Sequence, residues 1–167
     1  ELHCTTNFSF LQGGSHPEEL VSQAASLGYA ALAITDRVSL SGVVRAHAAA
    51  KEVGIHLVIG AVVEPIDAPP LVLWATNKKG YQNLCRLLTS GLLEQGCSKK
   101  SKEIDGSDVR DHDPRCLLTA DEVAAHADGL LAGLPLSQLR GSFESAVVSI
   151  RAWQDRLGKQ LYGLAEV

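Results

Sequence analysis

The sequence predicts an α/β fold, because short apolar runs alternate along the chain with longer amphipathic segments. Glycines follow the helical segments at Gly28, Gly54 and Gly158, where a left-handed residue commonly ends a helix. With 167 residues and 46% hydrophobic composition, the chain is long enough for one core. Strands separated by crossover helices favour parallel pairing, in a barrel-like or an open sheet.

The first part of the chain contains three predicted strands and two predicted helices. Ser15 and Glu18 have capping-box spacing at the start of the first helix. The strands are "ELHC" (1–4), "AALAI" (30–34) and "IHLVIGAVV" (55–63), and the helices lie in "SHPEELVSQAASLG" (15–28) and "SLSGVVRAHAAAKEVG" (39–54).

The second part repeats the alternation around one polar interruption. Residues 95–116 mix charges with Gly, Ser and Pro, which predicts a flexible loop within a single domain over 1–167. Thr119 and Glu122 repeat the capping-box spacing before another helix. The remaining strands are predicted in "LVLWAT" (71–76), "GLLAGL" (129–134) and "QLYGLAEV" (160–167), and the remaining helices over 79–93 and about 137–157.

Composition excludes several classes of function. The formal charge of −4 argues against a surface that tracks phosphates, so any contact with DNA is expected to be indirect. The sequence has no unbroken apolar stretch of membrane-spanning length. Its 4 cysteines include no CxxC pair, which indicates reduced thiols and a cytoplasmic location.

Polar residues that directly follow the predicted strands are the candidate site. In α/β folds ligands gather at the carboxyl ends of strands. These positions are His3 and Thr5, Asp36 and Arg37, Val62 and Glu64, and Asn77.

Two long stretches resemble a known family. "ELHCTTNFSFLQGGSHPEELVSQAASLGYAALAITDRVSLSGVVRAHAAAKEVGIHLVIGA" and "LVLWATNKKGYQNLCRLLTS" resemble the N-terminal PHP (polymerase and histidinol phosphatase) domain of bacterial C-family DNA polymerases. Two segments, "NFSFL" and "SHPEELV", are similar to sequences of the error-prone, translesion branch, which is related to the DNA polymerase III alpha subunit. The resemblance implies a distorted (β/α)7 barrel, incomplete in this fragment.

The resemblance also implies a metal cluster at the strand ends, whose ligand pattern is only partly kept here. His3 and Asp36 are the remnant metal positions, expected to be unoccupied. At the other family positions, Thr5 replaces a histidine, Gln12 an acidic residue, Arg37 a histidine and Val62 a glutamate.

These replacements predict a degenerate metal site. Threonine and amide groups are weak ligands, and valine offers no donor atom. A guanidinium at about 4 Å from the site opposes a dication by several kcal/mol at an effective dielectric constant of about 20. We expect Arg37 to pair with Asp36, and His3 to be packed or hydrogen-bonded. Because Pro65 takes the chain out of the sheet, Glu64 is a poor replacement ligand.

The predicted function is therefore a scaffold segment of an error-prone polymerase, with no catalytic residue and no cofactor in this chain. The resemblance implies Mg²⁺ in the palm of the parent polymerase, the remaining polymerase domains as partners in cis, accessory proteins of replication or mutagenesis as further partners, and no membrane. One alternative is a metal-dependent phosphoesterase, a phosphatase or proofreading-type exonuclease, that holds Zn²⁺ or Mn²⁺ at His3, Asp36 and Glu64. Another is an interaction module that docks partners through residues 95–116.

Overall fold

A five-stranded mixed sheet forms the centre of the protein. The computed structural model describes residues 1–98, 117–139 and 142–165. The strands are β1 (Ala31–Arg37), β2 (His56–Val63), β3 (Leu71–Ala75), β4 (Leu130–Pro135) and β5 (Leu161–Leu164), in the order β1-β2-β3-β4-β5. The helices are α1 (Pro17–Ser26), α2 (Val43–Val53), α3 (Lys78–Ser98), α4 (Ala120–Ala125) and α5 (Phe143–Leu157).

The expectation of parallel pairing is right for two neighbouring pairs and wrong for the other two. β1 with β2 and β4 with β5 are parallel, whereas β3 runs antiparallel to both β2 and β4. The connection between β2 and β3 covers only residues 64–70. A parallel neighbour needs a crossover of a dozen or more residues, so this connection permits only the antiparallel arrangement.

The helices pack on one face of the sheet, which we call the helical face. Leu32 and Ile34 of β1 pack there against α1 and α2, and Leu73 of β3 packs against the core that α3, α4 and α5 share. The opposite face, called the open face below, carries Ala33, Val72 and Trp74 with partly buried apolar neighbours. Alternate residues of each strand therefore face two different environments.

The predicted strand at "ELHC" is not a strand, but its backbone runs beside β1. The Ala33 N–H donates to the Glu1 carbonyl at 2.9 Å, and the Thr35 N–H donates to the Cys4 carbonyl at 2.9 Å. On the open face, the Trp74 Nε1–H donates to the Leu2 carbonyl at 2.8 Å. These bonds hold the N-terminal segment at the free edge of β1.

Several helix boundaries differ from the predicted ones: α2 begins at Val43 and α3 extends to Ser98, and the starts of α1 and α5 also differ. α1 is capped one residue later than expected, because the His16 N–H donates to the Glu19 carboxylate at 2.8 Å. The predicted helix over 137–157 is a 3₁₀ turn at Leu136–Gln138 followed by α5. The Thr119–Glu122 capping box is confirmed at the start of α4, with Thr119 N–H to Glu122 carboxylate at 2.7 Å.

The predicted flexible loop falls largely outside the described residues. Residues 95–98 form the end of α3, and 99–116 are not among the residues described. No helix in the described ranges combines the length and apolar composition that a bilayer crossing needs.

Candidate functional site

The candidate site lies where the parallel strands β1 and β2 end side by side. Asp36 and Arg37 are the last two residues of β1, and Arg37 is in register with Val62 of β2. Glu64 follows the end of β2 directly. The fold thus brings two of the predicted strand-end positions into contact, as expected for parallel neighbours.

Asp36 is fully buried on the helical face, and both oxygens of its carboxylate accept hydrogen bonds. Oδ1 accepts from the Thr6 N–H at 2.7 Å and from the Ser9 hydroxyl at 2.8 Å. Oδ2 accepts from the Thr6 hydroxyl at 2.8 Å. Thr6, Ser9 and Asp36 are all at most 3% exposed. Hydrogen bonds to a buried carboxylate are among the stronger ones in proteins, so Asp36 fixes the loop that contains Thr6 and Ser9.

That loop makes a compact turn over the end of β1. The carbonyl of Ser9 accepts from the backbone N–H groups of Gln12 and Gly13, both at 3.0 Å. Gly13 lies against Thr6 so closely that an added Cβ would be 2.1 Å from the Thr6 carbonyl oxygen. Leu11 has a φ of +62°, which is unfavourable for a residue with a branched side chain. The loop is therefore held in a defined conformation.

Arg37 binds Glu64, and the expected pair with Asp36 is wrong. The Arg37 Nε–H donates to Glu64 Oε1 at 2.8 Å, and Nη2 donates to Oε2 at 2.6 Å. Successive strand residues point to opposite faces, so Asp36 lies on the helical face and Arg37 on the open face. The fork of a guanidinium matches the two carboxylate oxygens. This ion pair joins the carboxyl ends of β1 and β2.

The backbone immediately after Arg37 is strained. Val38 has a φ of +50° although its side chain is β-branched, and it is 6% exposed. Its N–H donates to the Val62 carbonyl at 2.9 Å, and the Arg37 N–H donates to the Ser9 hydroxyl at 2.9 Å. Such strain persists only where the surrounding contacts fix the chain, which these two bonds do.

His3 is half-buried and hydrogen-bonded on the side of the open face. Its Nδ1 lies 2.8 Å from the Thr35 hydroxyl oxygen, and the Cys4 N–H donates to that same oxygen at 3.0 Å. Thr35 and Asp36 are adjacent in β1 and face opposite ways. The two remnant positions, His3 and Asp36, are therefore not brought onto one face.

One cysteine, Cys4, lies in the N-terminal segment beside β1. Cys4 and Cys85 are free thiols, while the side chains of Cys97 and Cys116 are not described. Burial, together with the nearby Glu1 and Asp36 carboxylates, raises the pKa of the Cys4 thiol.

The remaining family positions do not converge on a metal site. Gln12 is exposed in the loop, Thr5 is half-buried, and Val62 packs against the apolar cluster of the open face. Both carboxylate oxygens of Glu64 contact Arg37. Within the described residues, no three His, Cys, Asp or Glu side chains are grouped closely enough to hold a metal ion. These residues do not fit the metal cluster that the family pattern implies.

Sequence reasoning missed Thr6 and Ser9 as the partners of Asp36. The segment "TTNFS" contains four short polar residues before an exposed turn, a composition typical of side chains that bond to nearby backbone and carboxylate groups. That composition shows which residues are capable of such bonds. The loop conformation, which the sequence does not give, selects Thr6 and Ser9 among them.

A family model described as "PHP domain" matches residues 1–165. An error-prone DNA polymerase of Rhodopirellula baltica is 47% identical over 134 residues, which cover 80% of this chain and 10% of that protein. One of Bordetella parapertussis is 58% identical over 96 residues, covering 54% of this chain and 9% of that protein. The chain therefore spans about a tenth of the length of these curated relatives.

Solved structures share the fold at low sequence identity. A candidate metal-dependent phosphoesterase from Bifidobacterium adolescentis has a TM-score of 0.61 at 18% identity, covering 99% of this chain and 76% of that chain. An amidohydrolase from Chromobacterium violaceum, solved with sulfate and without metal, has a TM-score of 0.66 at 17% identity, covering 99% and 75%. At this identity the likeness describes the fold alone.

Proposed function

The chain belongs to the PHP domain family and is homologous to error-prone DNA polymerases, and we propose that it is a scaffold domain of such a polymerase without a metal-dependent hydrolytic site. The sequence identity to the polymerase relatives supports an error-prone DNA polymerase as the parent protein. The phosphoesterase and amidohydrolase neighbours support the same fold and nothing further about activity.

The Arg37–Glu64 ion pair is the main support for the proposal that this domain has no metal-dependent hydrolytic activity. It places a permanent cation at the end of β1, where the resemblance puts a metal-binding histidine, and this cation occupies both oxygens of Glu64. A dication in the same place meets electrostatic repulsion and finds no free carboxylate. The oxygens of Asp36 are likewise engaged, by Thr6 and Ser9.

The contacts of Arg37 and Asp36 also support the proposed role as a structural scaffold. A metal cluster ties together the strand ends that contribute its ligands. Here the ion pair links β1 to β2, and Asp36 links β1 to the loop at Thr6 and Ser9. Protein groups therefore join the carboxyl ends of β1 and β2 and the loop over them, a region called the strand mouth below.

The parent protein, by its resemblance to the error-prone branch, extends primers across damaged DNA in the bacterial cytoplasm, in DNA repair and replication. Its nucleotidyl transfer uses carboxylates and Mg²⁺ in a palm region that is separate from this chain. The partners of this domain are then the other polymerase domains in cis, with accessory proteins of replication or mutagenesis as further partners. The formal charge of −4 supports only an indirect contact with DNA.

A phosphatase assay separates this proposal from the metal-dependent phosphoesterase. The chain is incubated with p-nitrophenyl phosphate and Mn²⁺ or Zn²⁺, beside a His3→Ala variant prepared in the same way. We expect p-nitrophenol to be released with either protein no faster than in buffer that contains the metal but no protein. Saturable, metal-dependent turnover in the unmodified chain that disappears in His3→Ala contradicts the proposal.

A further inference from the structure

The most exposed large apolar side chains in the described part of the chain lie in the loop that Asp36 holds. Phe10 is 85% exposed and Leu11 is 90% exposed. Phe8, in the same loop, is 37% exposed and lies beside Gly42, where an added Cβ would be 3.2 Å from its ring. We call the side chains of Phe10 and Leu11 the loop patch.

The conformation of the loop keeps the loop patch in solvent. A flexible loop lowers its free energy by turning apolar side chains inward. This loop is prevented from doing so, because Thr6 and Ser9 are bonded to the buried Asp36 and Gly13 lies against the Thr6 carbonyl. Leu11 also retains an unfavourable positive φ. The hydrogen bonds to Asp36 thus offset the free-energy cost of exposing these two side chains. Such an arrangement is typical of a docking element.

We propose that the loop patch docks onto a downstream part of the same polypeptide in the full-length polymerase. This inference rests on the proposed function, in which the chain is one domain of a longer protein. The polymerase relatives are about ten times longer than this chain, so most of the protein that is able to cover the patch lies outside the described structure. A permanent neighbour in the same polypeptide suits large apolar side chains, which are poorly soluble when left exposed.

In this proposal, two positions that the resemblance relates to metal binding, Asp36 and Gln12, serve the docking loop. Asp36 acts as a brace for the loop, and Gln12, exposed beside the patch, leaves the loop without a negative charge at that position. An uncharged, apolar loop tip is suited to burial against another protein surface, since a charged carboxylate there would have to be desolvated.

The test is site-specific photo-crosslinking in the full-length polymerase. p-Benzoylphenylalanine replaces Phe10 in one protein and Val148 in the control. Val148 is also apolar and 66% exposed, but it lies on α5 at the other edge of the sheet. After irradiation, peptide mass spectrometry identifies the partner of each crosslink, and denaturing gels show whether it lies in the same polypeptide. A second variant, Phe10→Ser with Leu11→Ser, is compared with the unmodified protein by hydrogen exchange.

We expect position 10 to crosslink within one polypeptide to a peptide beyond residue 167, with several-fold higher yield than position 148. The serine variant should raise hydrogen exchange in that same downstream peptide. Crosslinks to a second copy, crosslinks confined to residues 1–167, or a yield equal to that of the control each overturn the inference. Primer extension by the unmodified full-length protein keeps the two proposals separate: if that protein is active and the crosslink is absent, the docking inference alone is refuted, and if that protein is inactive, the proposed function is refuted.

Discussion

At the scale of single residues, the central feature is that neighbouring positions of β1 serve different purposes. Asp36 is buried on the helical face and braces a loop, while Arg37 on the open face joins two strand ends. The observed strand continues to Arg37, beyond the predicted end at residue 34, so alternation along it points the two side chains to opposite faces. The expectation of an Asp36–Arg37 pair gave more weight to proximity in sequence than to this geometry.

Replacing Asp36 is expected to be among the most destabilising changes in the described part of the chain. Asp36→Ala leaves the Thr6 N–H and two hydroxyl groups without their acceptor in a buried place, which costs about 3 kcal/mol or more of unfolding free energy. Urea denaturation followed by circular dichroism measures this change. Asp128→Ala, which removes an exposed partner of Lys79, is the control and should cost less than about 1 kcal/mol. Equal losses for the two variants would show that Asp36 is not a brace.

The Arg37–Glu64 pair is expected to contribute a modest but measurable coupling energy. Its side chains are 22% and 41% exposed, so solvent screens the pair and the coupling should be about 1 kcal/mol. A double-mutant cycle with Arg37→Met and Glu64→Gln measures this energy by chemical denaturation. The same cycle on Lys79 and Asp128, whose side chains are 68% and 69% exposed, should give nearly zero. A coupling no larger than in the exposed pair argues against a structural role for Arg37.

The Cys4 thiol should be slow to react at neutral pH. Because burial and two carboxylates raise its pKa, a smaller fraction of Cys4 is thiolate at a given pH than for an unperturbed cysteine. Its alkylation rate by iodoacetamide should therefore rise at higher pH than that of a cysteine in an unfolded peptide. Timed quenching and peptide mass spectrometry measure Cys4 separately from the other thiols. A rate profile that coincides with the peptide would contradict this assignment.

At the scale of elements, the existence of most helices and strands was predictable, since apolar periodicity marks them directly. The direction of β3 was only partly predictable. Its seven-residue connection to β2 requires an antiparallel neighbour, but the longer connection from β3 to β4 gives no such signal in the sequence. The cap of α1 at His16 was missed because Ser15 and Glu18 show the same spacing as His16 and Glu19.

The open face depends on small residues beside Trp74. An added Cβ on Gly133 would lie 2.3 Å from the Trp74 ring, whereas at Gly163 the nearest atoms are Leu136 methyls at 4.0 Å. Gly133→Ala should therefore cost about 2 kcal/mol by forcing the indole aside, and Gly163→Ala should change stability by less than about 0.5 kcal/mol. Thermal unfolding measures both, and near-ultraviolet circular dichroism reports the movement of the indole. If Gly133→Ala unfolds like the unmodified chain, the indole does not occupy the position described.

At the scale of the whole molecule, one sheet organises both the core and the strand mouth. The helical face supplies the apolar core, and the carboxyl ends of β1 and β2 hold the groups that the resemblance relates to a metal site. The replacements at Thr5, Gln12, Arg37 and Val62 are what the resemblance implies from the sequence alone. What the replacements do was not visible in the sequence, because the partners of Asp36 and Arg37 come from a loop conformation and from a residue 27 positions away.

The most direct test of this account is equilibrium dialysis of the chain against Mn²⁺ and Zn²⁺, with metal quantified by atomic emission. A variant that restores the ligand types of the family, Thr5→His with Gln12→Asp, Arg37→His and Val62→Glu, shows how much metal the scaffold holds once these groups return. We predict that the unmodified chain retains no stoichiometric metal and that the variant retains more. Tight, stoichiometric metal in the unmodified chain that is lost in His3→Ala contradicts the claim that the Arg37–Glu64 pair has replaced the metal.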